Sequence, residues 1–201
     1  YVLDKANNQY WYASVNVLPN GLKEQLQSTN MNEVQVGDKL YISGGYGFSP
    51  TANDHITFPY LTEVNVSGLI NSIVNGSDIS PNFIQITDNR FALTGGNLGV
   101  IDSSFYLIGG HRFDGRYNPM GGPTFTQTYA SSIRKFDVHQ INGTLEVTNY
   151  SELIDQVHLH RRDYNLLPMI YPNNEFGYLI SAGVFQINAD LPFLYPVEIH
   201  A

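Results

Sequence analysis

Lys39-Leu-Tyr-Ile-Ser-Gly-Gly45 decides the fold, because the same pattern returns at Ser104-Phe-Tyr-Leu-Ile-Gly-Gly110 and at Gly177-Tyr-Leu-Ile-Ser-Ala-Gly183. Each copy is an aromatic and aliphatic run that closes on two residues of little or no bulk. Such runs read as β-strands, and the small pair reads as a sharp backbone turn that a larger side chain would obstruct. The closing glycines lie 65 and 73 residues apart.

Working outward, each copy has matching neighbours. A strand is expected before it, over 30–36, 91–101 and 164–171. A long polar loop follows, and then a third strand at Leu61–Val66, Ile133–Val138 and Tyr195–Ile199. The alternation in these third strands suits a half-buried position. Fourth strands are expected over 79–87 and 144–153, and Gly68–Val74 carries apolar residues at the spacing of one or two helical turns. Tyr1–Asp4 and Gln9–Val15 read as the last two strands of an earlier unit, with Trp11 outermost. The organisation expected is residues 1–28 as the end of a preceding blade, 29–87 and 88–153 as two blades, and 154–201 as a partial blade. Thirteen strands cannot close a propeller of about four to eight blades, so a larger propeller is expected, finished within the same chain or by another.

A hydrophobic strand, Gly-Gly, a loop, an aromatic and then a Trp is the pattern of kelch repeats, although the spacing exceeds the usual ~50 residues. The chain resembles a kelch-like β-propeller, all-β, with about three blades of four-stranded antiparallel sheet. The stretches Glu24–Asn30, Asp54-His-Ile-Thr57, Phe113–Met120 and Leu159–Asn165 are similar to a group of kelch-propeller proteins exported by Bacteroidetes-type bacteria, often through type IX secretion. That resemblance implies an extracellular or cell-surface setting. It implies no catalytic mechanism.

Composition narrows the classes. Of 201 residues, 42% are apolar and 14% charged, which argues for a packed chain. A net charge of −8 lacks the basic footprint of a nucleic-acid binder. Apolar runs fall short of the ~20 residues of a membrane helix, so no membrane insertion is expected. Tyr1-Val-Leu-Asp4 reads as a strand and not as a signal peptide, so the natural start is expected upstream. With no cysteine, disulfides, thiolate metal sites and cysteine nucleophiles are excluded. The Asn-x-Ser/Thr sequons at Asn65, Asn75, Asn142 and Asn149 are expected from abundant asparagine alone.

Antiparallel alternation places the loops after the small pairs on the same face as the connections between blades. That face holds the long segments 46–60, 111–130 and 154–163. They carry the candidate ligand-binding residues Asp54, His55, His111, Arg112, Asp114, Arg116, Tyr117, His160, Arg161, Arg162 and Asp163. Four of the six arginines lie here, and their planar forks suit carboxylate, phosphate or sulfate. Tyr46, Phe48, Phe113 and Tyr117 could stack on a sugar or a partner side chain. The competing reading pairs the arginines with Asp114 and Asp163 to brace the loops. His55, His111, His139, His158 and His160 fall on or near this face, with His158-x-His160 able to point two imidazoles one way. No established metal spacing accompanies them, and neither a metal nor a cofactor is expected. Gly95-Gly-Asn-Leu-Gly99 lacks the Lys-Ser/Thr of a phosphate loop and reads as a strand near the axis. Gly121-Gly-Pro123 reads as a turn.

The expected function is a non-catalytic recognition module of a secreted or cell-surface protein, binding a glycan or a protein partner through these loops. One alternative is a carbohydrate-active enzyme of oxidase or epimerase type using His and Asp residues of the same face. Another is a structural subunit of a surface or secretion complex.

Overall fold

A computed structural model describes residues 1–118, 120–122 and 124–200. Pro123, the last residue of the turn expected at 121–123, lies outside the described residues. The chain is all-β and β-propeller-like, built from successive four-stranded antiparallel sheets.

The first sheet runs in chain order through Asn32–Val36, Lys39–Ser43, Tyr60–Asn65 and Phe83–Thr87. The second runs through Asn97–Ile101, Ser104–Ile108, Ser132–Ile141 and Thr144–Ile154. In the third, Arg162–Ile170 pairs with Phe176–Gln186, whose other edge takes Ala189–Pro192 at one end and Val197–Ile199 at the other. A short hairpin, Val2–Asp4 with Gln9–Trp11, precedes them.

The three small pairs occupy one equivalent place. Their φ angles are 68° and 96° at Gly44 and Gly45, 54° and 80° at Gly109 and Gly110, and 63° and 98° at Ala182 and Gly183. The carbonyl of the second residue accepts an amide proton in every sheet, from Phe58, Ala130 and Phe193 at 2.9, 3.0 and 2.8 Å. The left-handed backbone turns the chain off the second strand, and close packing makes Gly44 obligatory. A Cβ there would lie 1.7 Å from the Leu93 carbonyl oxygen at the entry to the second sheet.

Sheets stack face to face on apolar side chains. Tyr41 and Leu61 of the first sheet meet Leu98, Phe105, Leu107 and Phe136 of the second, and Phe91 and Leu93 fill the gap between them. Tyr106 and Ile108 of the second meet Tyr164, Ile180 and Ile199 of the third. Leu61, Leu107, Ile108, Phe136 and Ile180 are completely buried. Each contributes roughly 1.5–3 kcal/mol. Gly99 makes room for Tyr178, whose hydroxyl donates to the Val100 carbonyl and accepts from its amide.

Several local expectations are corrected. The long segments after the first two small pairs are twisted hairpins and not loops: Tyr46–Ser49 with Asp54–Thr57, and His111–Gly115 with Phe125–Tyr129. In the second hairpin His111 and Phe113 turn inward while Arg112 between them faces solvent. The helical turns grow to a ten-residue helix, Val66–Asn75, capped by Asn65 Oδ1 at its start and by left-handed Gly76 at its end. A second helix, Asn20–Leu26, was not expected. Several strands are shorter than expected: the strand expected over 91–101 runs only from Asn97, that over 79–87 only from Phe83, and that over 9–15 ends at Trp11. No helix among the described residues is long and apolar enough to cross a membrane.

Candidate functional site

The residues entering each sheet and those leaving each small pair meet at one end of the fold. Thr29 and Tyr46 exchange backbone hydrogen bonds at 2.9 Å, Thr94 and His111 do so at 2.9 and 3.0 Å, and Arg162 pairs with Val184 in the third sheet. The next residue in each entry, Asn30, Gly95 or Asp163, has φ of 53°, 65° or 57°. Asn, Gly and Asp tolerate that region best, so Asp163 is placed there by the backbone. Its exposed side chain lines neither of the clefts described next.

A central cleft of about 550 Å³ opens among these entries. Thr29, Asn30 and Thr94 line one side, and Tyr46, His111 and Arg162 lie around it. The second hairpin supplies Phe113, Tyr117, Phe125 and Gln127, and the third sheet supplies Phe185. The aromatic wall is ordered by its own contacts. Phe113 stacks on Phe125 at 4.6 Å and takes the edge of Tyr46 at 4.9 Å. The Tyr46 hydroxyl donates to the Gly115 carbonyl at 2.6 Å and accepts from the Tyr117 amide at 3.3 Å, holding exposed Tyr117 at the rim.

Two polar groups on this cleft lack partners among the described residues: His111 Nδ1 and Arg162 Nε. His111 is only 6% exposed. Burial, reinforced by the Arg162 charge, lowers its pKa to about 4, so it is neutral at physiological pH. Arg162 makes no ion pair among the described residues, and its guanidinium lies 4.4 Å from the Phe185 ring centre.

A second cleft of about 430 Å³ adjoins the first and shares Gln127, Arg162 and Phe185 with it. Tyr129, His160, Asn188 and Asp190 also line it. His160 stacks on Tyr129 at 3.9 Å, and its Nδ1 lies 2.7 Å from the Phe185 carbonyl. A carbonyl only accepts, so Nδ1 carries the proton and Nε2 is an acceptor when the ring is neutral.

Of the candidate ligand-binding residues, His111, Tyr117, Arg162 and His160 gather at these clefts, and of the candidate stacking residues Tyr46 and Phe113 join Tyr117 there. The others do not. Arg161 is a buried strut, 1% exposed: Nε donates to the His158 carbonyl at 2.6 Å, Nη1 to the Ala182 carbonyl at 2.9 Å, and the guanidinium covers the Phe193 ring at 3.8 Å. Asp114 braces, accepting Arg112 Nε at 2.6 Å and the Thr57 amide at 3.1 Å. Thr57 Oγ1 also donates to the Phe113 carbonyl and accepts from its amide, so the first two hairpins are tied together. Arg116 lines a separate recess with Tyr117, Asn118 and Thr124. Asp54 is exposed, and half-buried His55 packs on Phe48 on the first hairpin, outside both clefts.

The histidines do not converge: His158 pairs with Asp155 at 2.8 Å, and His139 lies seven residues along its strand from Ser132. No group of three or more His, Asp or Glu side chains is placed to hold a metal among the described residues. Sequence reasoning missed Thr29, Thr94, Phe125, Gln127, Tyr129 and Phe185. Only the repeat itself could have found the two threonines, which precede the strands by the same interval.

No family model matches the chain, and no curated protein matches it in sequence. It is similar to the solved structure of YjhT, with a TM-score of 0.51 and 16% identity, over 99% of this chain and 48% of that one. The chain thus spans about half the length of YjhT and shares its fold.

Proposed function

We propose that this chain is a recognition module that binds a saccharide in the central cleft. The observation that carries this reading is Arg162, a guanidinium without a carboxylate partner among the described residues, beside the wall of Tyr46, Phe113, Tyr117 and Phe125. Aromatic faces pack against sugar C–H groups, while a fixed arginine fork and nearby amide and hydroxyl groups orient ring substituents. Two ordered hairpins and the sheet entries position these side chains, which suits binding with little reorganisation. The resemblance to exported kelch proteins supports a secreted or cell-surface setting, with further blades from the same chain or another completing the propeller.

Calorimetry against a saccharide panel tests this, alongside a pulldown of surface proteins. Arg162→Ala and Tyr117→Ala are expected to weaken saccharide binding about tenfold or more, a loss of ~1.4 kcal/mol or more. Arg116→Ala, outside the cleft, is expected to leave it unchanged. Binding indifferent to Arg162 and Tyr117, or capture of a protein partner only, overturns the saccharide reading.

A catalytic reading draws on His111, whose buried Nδ1 is unpartnered among the described residues and whose ring is neutral at neutral pH. Sugar turnover abolished by His111→Gln, with binding retained, would favour it.

A further inference from the structure

Phe185 has φ of 78°, a conformation a bulky L-residue adopts only under constraint. It sits at a bulge where the pairing register shifts between Val184 and Gln186. Two contacts hold it: the His160 Nδ1–H donates to its carbonyl, and Arg162 lies over its ring. The strained residue is also the shared wall of the two clefts, together with Arg162 and Gln127.

The two clefts differ in chemistry. The central one offers aromatic faces, and Arg162 stands at the junction. The second adds acceptors, the Asp190 carboxylate and the side-chain carbonyls of Asn188 and Gln186, beside the His160 ring. Acceptors suit hydroxyl donors and repel a second anion. Both volumes lie within the ~300–1,000 Å³ range of ligand clefts.

We propose that the two clefts form one groove for a uronic-acid-containing oligosaccharide of at least two rings. The carboxylate seats on Arg162, the Phe185 ring forms the platform at the junction, and a neighbouring ring places its hydroxyls against Asp190 and His160. This rests on the saccharide reading of the central cleft and extends it to a ligand class and length. An acidic peptide fits less well, because Asp190 opposes successive anions beside Arg162.

The test is calorimetry with glucuronate and galacturonate, the disaccharides and tetrasaccharides of hyaluronan and polygalacturonate, neutral cello-oligosaccharides, and a sulfated, carboxylate-free disaccharide. A uronate disaccharide is expected to bind about tenfold tighter than its monosaccharide. Asp190→Ala, at an exposed position, is expected to bring the two within about twofold by weakening the disaccharide alone. Arg162→Gln is expected to weaken both. Equal affinity for monosaccharide and disaccharide, or equal affinity for the neutral or sulfated ligands, overturns the proposal. If neutral saccharides bind in a Tyr117-dependent manner without regard to Asp190, the central-cleft reading stands and this one falls. If no saccharide binds, both fall.

Discussion

Arg161 does in the third sheet what Gln25 does in the first: each sends a buried side-chain nitrogen to the carbonyl at the first position of its sheet's small pair. Gln25 Nε2 reaches the Gly44 carbonyl at 3.1 Å, and Arg161 Nη1 reaches the Ala182 carbonyl at 2.9 Å. A carbonyl exposed by the left-handed turn is thereby satisfied without water.

Arg161→Ala is therefore expected to destabilise the fold by about 3 kcal/mol, through two stranded carbonyls and the space left beside Phe193. Arg161→Gln, which can still reach one carbonyl, is expected to recover part of the loss. Urea midpoints of the two variants measure this, and an unchanged midpoint for Arg161→Ala would remove the strut assignment.

Ala182 holds φ of 63° where the other sheets have glycine. Ala182→Gly relieves that strain and is expected to add roughly 0.5–1 kcal/mol after glycine's entropic cost. Gly44→Ala, whose Cβ would collide with the Leu93 carbonyl, is expected to prevent folding or to lower the melting temperature steeply. Thermal melts of both variants should move in opposite directions.

His111 links stability to pH. Its pKa is lowered to about 4 by burial first and the Arg162 charge second, against 6.5 for the free side chain. Between those values the unfolded chain binds the proton and the folded chain does not, so stability is full above pH 6.5 and falls as pH drops towards 4. The loss is on the order of 3 kcal/mol. His111→Phe is expected to flatten this part of the profile, as read from unfolding free energies measured across pH 4–7.

Thr57 couples the first two hairpins through its Oγ1 and amide. Thr57→Val leaves the Phe113 amide and carbonyl without their buried partner and is expected to cost about 1–3 kcal/mol. Amide exchange should rise at Phe113, in the aromatic wall of the central cleft, before it rises in the sheets. Uniform acceleration across the chain would instead indicate a global effect.

The repeated strands and their small closing pairs were legible because strand periodicity and left-handed turns are local properties, written in neighbouring residues. The hairpins of 46–57 and 111–129 were not, since their mixed composition becomes pairing only when a preceding sheet edge orients it. Arg161 and Arg162 show the same limit for the site. They are adjacent and chemically identical, and alternation along an extended backbone sends one into the core and the other to the cleft. Sequence alone determined that small four-stranded sheets recur and that their charged segments share one face. The tertiary structure decided which charges are spent on buried carbonyls and neighbouring hairpins, as Arg161 and Asp114 are. Hydrogen-bond partners are chosen by proximity in space, and that proximity arises between sheets far apart in the chain.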